Sequence, residues 1–231
     1  MLIISHRGGS EEYIESSKES FISSLNTNVD GIECDIQFTK DNIPIINHNP
    51  TLKEHYLIEE YIENLSLKEI MLKTDNKIML LQDLLDLYTN NENKKIFIEI
   101  KGNPTTEQIL ILQVILKNYK LQNNIIILSY NFKLLKKINN FNKLILIDNF
   151  FSKNILEQIL LESNCNYIGI YYDIVTKKYI NTIREINKNI KIFIFTVNEY
   201  IIYKKFINIQ IKNDIDGIIT DCPNFFIKKL K

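Results

Sequence analysis

Tryptophan is absent from this chain, and cysteine, proline and glycine are scarce, at 3, 4 and 6 of 231 residues. The cysteines, Cys34, Cys165 and Cys222, are an odd, widely separated set without CxxC spacing, which argues against a disulfide framework or a zinc site. A reducing compartment follows, and a cytoplasmic location is expected. So little glycine and proline leaves no flexible linker, no internal repeat and no composition break to mark a domain boundary. Net charge is missing too, because 28 Lys plus Arg balance 28 Asp plus Glu. Without a global field the chain has no general attraction for nucleic acid or an anionic membrane, so partners must be recognised locally. No window approaches the ~18 apolar residues that span a bilayer, and "MLIISHRGG" lacks the cationic and apolar regions of a leader. Neither a nucleic-acid partner nor an integral membrane segment is expected.

What is present is globular: 45% hydrophobic and 24% charged positions exclude a disordered or collagen-like chain. Short β-branched runs recur at Leu2 to Ser5, Gly31 to Ile36, Ile96 to Ile100, Ile125 to Ser129, Leu144 to Ile147, Tyr167 to Tyr171, Lys191 to Thr196 and Gly217 to Thr220. Between them helical spacing appears at Ser17 to Leu25, Leu81 to Tyr88, Glu107 to Tyr119, Phe132 to Ile138, Ile155 to Leu161, Lys178 to Asn187 and Tyr200 to Ile207. Repeated strand-then-helix units require parallel pairing, and these units in a chain of this length predict an α/β fold, a TIM (β/α)8 barrel. Ile43 to Ile78 is too long for one connection and reads as a small insertion after strand 2. It carries a short strand, Pro44 to Asn47, and a helical turn near Leu67 to Leu72, and should overhang the barrel mouth. The whole chain, 1–231, reads as one domain, with "FFIKKLK" as a solvated terminal helix.

Polar residues gather at the strand ends, on the rim where such barrels build their sites. Glu33 and Asp35 are two apart, so a strand points both to one face, as it does Glu99 and Lys101. Taken alone, "IECDI" would equally suit a solvent-facing antiparallel strand. In a barrel the outer face is covered by apolar helices, where unpaired carboxylates would cost several kcal/mol, roughly 2–7 even for neutral groups, so they point inward. Three inward carboxylates, Glu33, Asp35 and Glu99, repel one another unless a cation compensates them, and all-oxygen ligation suits a hard divalent ion, Mg²⁺ or Ca²⁺.

Two of the three histidines, His6 and His48, fall beside these acids and offer one general acid and one general base. His55 reads as a polar residue of the insertion. Arg7, one of only two arginines, and Lys101 suit an anionic ligand, with phosphate matching the guanidinium fork. Lys101 as a Schiff-base nucleophile is disfavoured, because neighbouring acids raise its pKa.

In order along the chain, "SHRGG", "IESSKESF", "DGIECDIQFTKDNIPIINHNPTL", "IFIEIKG", "FIFTVNE" and "DGIITDCP" resemble the glycerophosphodiester phosphodiesterase family over essentially the whole length. The resemblance implies a barrel that uses water and a divalent cation to split a small-molecule glycerophosphodiester into glycerol 3-phosphate and an alcohol. It implies His6 and His48 as the acid/base pair, Glu33, Asp35 and Glu99 as metal ligands, and Arg7 with Lys101 on the phosphate. Phe195 stands where the family usually has Trp in the "TVN" strand, which makes it a substrate contact with a different fit. Asn49 stands where a His-Asp pair is common, weakening charge support near His48, while Glu15 remains to orient Arg7 or His6. Ser129, Asn198 and Asp221 are further rim candidates. Which histidine is acid, and whether water or the glycerol 2-hydroxyl attacks first, stays open, as does assembly into a homo-oligomer. The alternatives are a phospholipase D-like lyase or lysophospholipase acting on lysolipids, and a noncatalytic barrel that binds phosphorylated metabolites.

Overall fold

The computed structural model describes residues 1–89, 91, 93–208 and 212–230. Its strands are β1 (Leu2–Ser5), β2 (Gly31–Phe38), β3 (Pro44–Ile46), β4 (Thr51–Leu52), β5 (Ile58–Tyr61) and β6 (Lys95–Ile100), then β7 (Ile125–Ser129), β8 (Asn142–Ile147), β9 (Tyr167–Tyr171), β10 (Lys191–Phe195) and β11 (Gly217–Thr220). β1, β2 and β6 to β11 run parallel in the order β1-β11-β10-β9-β8-β7-β6-β2, and β1 also pairs with β2, closing the ring. The expected (β/α)8 barrel is what forms. Its strands and the helices between them begin and end within two residues of the positions read from periodicity.

Alternation decides what faces where. Ile32, Cys34 and Ile36 of β2, with Ile96, Ile98 and Ile100 of β6, join the apolar layer under the helices. The opposite positions point into the cylinder, where Ile4, Phe97, Ile126, Leu128, Leu144, Leu146, Phe193 and Ile219 form a separate inner cluster. Each such side chain, fully buried, contributes about 1.5–3 kcal/mol. At the floor the Phe97 and Phe193 rings meet at 5.1 Å, and a Cβ on Gly217 would run into the Phe193 ring, so only glycine admits it there.

Helix starts follow local chemistry. The Ser17 hydroxyl accepts from Ser20 N ahead of Lys18–Leu25, and Thr105 forms a capping box ahead of Thr106–Asn118. The terminal segment differs from its sequence reading: Pro223–Leu230 is a helix whose Pro223 and Phe226 are buried, with Phe226 against Tyr203, so it packs on the barrel rather than standing in solvent. Lys231 of that segment lies outside the described residues.

The insertion continues from the mouth end of β2. β3 pairs antiparallel with β2, β4 and β5 form a short hairpin, and the helix Leu67–Lys73 follows. Ile45, Leu52, Ile62, Leu65, Ile70 and Ile78 give it a small core of its own. Among the described residues no helix is long and apolar enough to cross a membrane.

Candidate active site

β1 ends in a tight turn, with Arg7 at φ 51° and Gly8 at φ 80°. A Cβ on Gly8 would lie 2.5 Å from the Ser20 hydroxyl, so glycine lets the turn pack on the first helix. The turn places Arg7 N at 3.1 Å from Glu33 Oε2, as a donor, while His6 and Arg7 reach along the rim in different directions.

β2 and β6 are in register with Asp35 opposite Glu99, so parallel pairing sets these carboxylates side by side. Glu33, Asp35 and Glu99 are 2%, 0% and 8% exposed, and each offers an oxygen within 4.8 Å of the others. Arg7 Nε lies 2.9 Å from Asp35 Oδ2 and Arg7 donates to Glu15 Oε1 at 2.7 Å. Lys101 Nζ lies 3.1 Å from Asp35 Oδ1 and donates to Glu99 Oε1 at 2.8 Å. The two cations expected on a phosphate thus stand against the acids, with Glu15 orienting Arg7.

Electrostatics separates the three acids. Burial pushes Asp35 up, but Lys101 and Arg7 outweigh it and hold its carboxyl below the usual range. Glu33 is pushed up to about 8 by burial and then by the Asp35 charge. Glu99 is pushed up to about 7 by the same two causes, with Lys101 opposing. Near neutrality the group binds protons unless further positive charge arrives.

His6 Nδ1 and Asp221 Oδ1 lie 2.5 Å apart, and Asp221 Oδ2 accepts from Asn198 Nδ2 at 2.5 Å. His6 Nε2 faces Glu33 Oε2 at 3.9 Å. Burial lowers the His6 pKa, but the Asp221 hydrogen bond and the Glu33 charge more than reverse this and raise it. His48 follows β3, with Nδ1 at 3.0 Å from Asn49 Oδ1. Burial, aided by Lys101 and Arg7, lowers its pKa against the pull of Asp35. The two imidazoles therefore differ, one favouring its charged form and the other its neutral form. Phe195 ends β10 on the far wall, with Tyr171 at 6.0 Å and Tyr130 at 6.3 Å between ring centroids.

The model of the glycerophosphoryl diester phosphodiesterase family matches residues 6–225. The chain belongs to this family. It is accordingly an enzyme, a phosphoric diester hydrolase. It is 25% identical to a glycerophosphodiester phosphodiesterase of Caldanaerobacter subterraneus, covering 100% of this chain and 98% of that one. The crystal structure of a glycerophosphodiester phosphodiesterase from Thermotoga maritima superposes with a TM-score of 0.83 at 27% identity, covering 99% of this chain and 98% of that one. A phosphodiesterase of Oleispira antarctica, solved in complex with the product sn-glycerol-3-phosphate, shares the fold at TM-score 0.83 and 18% identity, covering 99% and 96%.

Against the family pattern, two residues gain a place that sequence reasoning left vague. Asp221, noted only as a rim residue, is the His6 partner, and Asn198 holds Asp221 through its side chain and accepts from Asp221 N at 2.9 Å. The signal was their shared rim position, but the pairing depends on ring closure, with Ser5 opposite Thr220. His55 and Glu54 of the insertion sit with Glu15 of the connection from β1 to the first helix, ligand atoms within 4.8 Å of one another.

Proposed function

We propose that this enzyme hydrolyses glycerophosphodiesters to sn-glycerol 3-phosphate and an alcohol. Glu33, Asp35 and Glu99 would hold one divalent cation, Mg²⁺ or Ca²⁺, and His6 and His48 would move the protons. The observation that carries this reading is the convergence of the three buried carboxylates, within 4.8 Å, on the rim that also bears both imidazoles. Their donor chemistry fits a hard ion. Both Asp35 oxygens are buried and lie in ion-pair range of Arg7 and Lys101, yet neither makes a well-aligned hydrogen bond, so their lone pairs remain available. Glu33 and Glu99, raised to about 8 and about 7, lack the positive charge that would ionise them fully. When bound, the cation offsets charge on the phosphate oxygens as phosphorus is attacked.

The protein's own residues supply the rest. Arg7 and Lys101 present N–H donors beside the acids, where phosphate oxygens would sit. Both imidazoles have Nδ1 engaged by an oxygen, Asp221 for His6 and Asn49 for His48, which leaves Nε2 of each for the reaction. One Nε2 takes the proton of the attacking hydroxyl, from water or from the glycerol 2-position, and the other gives a proton to the departing alkoxide. Phe195 offers the substrate's carbon skeleton an apolar wall. The product complex of the Oleispira antarctica relative supports the choice of product.

Glycerophosphocholine supplied with Mg²⁺ or Ca²⁺ should release choline and sn-glycerol 3-phosphate. A panel of glycerophosphodiesters that yields no glycerol 3-phosphate under either ion overturns this reading.

A further inference from the structure

The sequence offers His48 only an amide neighbour, Asn49, where a carboxylate would give firmer support. The structure supplies a carboxylate one step further back. Glu54, on the single helical turn Lys53–Tyr56, accepts from Asn49 Nδ2 at 2.6 Å, and Asn49 Oδ1 faces His48 Nδ1 at 3.0 Å. We infer that Glu54 is a positioning residue that fixes the proton-bearing nitrogen of His48 by fixing the orientation of the Asn49 amide. The inference rests on the reading of His48 as a proton-transfer group.

Donors and acceptors decide the orientation of the amide. An ionised carboxylate only accepts, so it selects the NH₂ end of Asn49 and turns the oxygen toward the imidazole. An oxygen there requires Nδ1 to carry the hydrogen, so in the neutral ring Nε2 is left as the acceptor. The flipped amide would do the reverse, presenting NH₂ to Nδ1 and moving the ring hydrogen to Nε2. Shape distinguishes the two amide orientations poorly, whereas the exposed Glu54 carboxylate, which accepts and does not donate, favours the one that turns NH₂ toward it.

The backbone around this relay is already held, so the amide is the freedom that remains. Gln37 Nε2 donates to His48 O at 2.9 Å, and Asn47 Nδ2 donates to Asn49 O at 2.6 Å and to Thr51 O at 3.1 Å. Glu15 and His55 also face Glu54, and Glu15 is engaged by Arg7 at 2.7 Å.

Two readouts on the full chain test the relay. In ¹⁵N-histidine-labelled protein, with three histidines to assign, His48 should show the Nδ1–H pattern when neutral. Glu54→Leu should shift it toward a mixture with Nε2–H. In turnover, Asn49→Asp sets two carboxylates against each other and should lose about tenfold or more in kcat, with KM little changed. Asn49→Asp combined with Glu54→Gln restores a donor facing an acceptor and should recover to within about threefold of the parent. An unchanged His48 pattern in Glu54→Leu, or a double variant no better than Asn49→Asp alone, overturns the inference. Full turnover by His48→Ala would instead overturn the proton-transfer reading and leave the spectroscopic result standing.

Discussion

The barrel interior has two unlike walls built from the same kind of strand. On β7 to β10 the inward positions, Ile126, Leu128, Leu144, Leu146, Phe193 and Phe195, are apolar up to the rim, where Tyr130 and Tyr171 join Phe195. On β2 and β6 the same inward alternation delivers Glu33, Asp35 and Glu99, and the ends of β1 and β11 add His6 and Asp221. Strand period and helix cover are alike, so the difference lies only in which residues occupy inward places. One wall is stable without help. The other concentrates acids that Arg7 and Lys101 compensate incompletely, which under the proposed function makes it the wall that takes up a cation and the phosphate.

If the walls divide the work in this way, chelation should have the largest effect. Excess EDTA should abolish turnover, and full activity in EDTA would remove the metal role from the charged wall. Next come the imidazoles. His6→Ala and His48→Ala should fold normally and each lose at least about a hundredfold in kcat, and near-normal turnover by either would break the acid/base pairing. The apolar wall should answer differently. Phe195→Ala should raise KM by about threefold to thirtyfold and change kcat by less, and a loss in kcat matching that of the histidines would erase the distinction between the walls.

The smallest effect is on stability. Glu33, at about 8, lies well above its ordinary value of 4.5, so the unfolded chain releases this proton first as pH rises. The stability held below the ordinary carboxylate range is lost as pH climbs through about 8. In EDTA the melting temperature should therefore fall between about pH 5 and about pH 8, and Glu33→Gln should flatten that fall. His6, raised, works in the same direction and His48, lowered, in the opposite one, so the difference between the two proteins is the quantity to measure. Identical slopes would contradict the burial of an ionisable Glu33.

The charged wall was legible where its logic is local. "IECDI" places Glu33 and Asp35 on one face by strand period alone, and the cost of turning them outward decides which face. Helical spacing alone marked Ser17 to Leu25, and the helix itself starts one residue later because Ser17 caps it. What escaped depends on chain segments meeting. His6 and Asp221 are 215 residues apart and become partners only because β11 closes against β1. Glu54, between β4 and β5, reaches His48 through the amide of Asn49 just ahead of β4, a strand of two residues, too short for any period to show. Phe226 looked solvated among lysines, and its burial against Tyr203 reflects a helix face rather than the segment's average composition. Lys101, read as a phosphate contact, also pairs with Asp35 and Glu99, and that proximity is set by the register between β2 and β6.

The most direct measurement is a crystal grown with Mn²⁺ and recorded at the manganese absorption edge. A single anomalous peak bounded by the carboxylates of Glu33, Asp35 and Glu99 is the expected result. A map with no peak there, or with its peak elsewhere on the molecule, would contradict it.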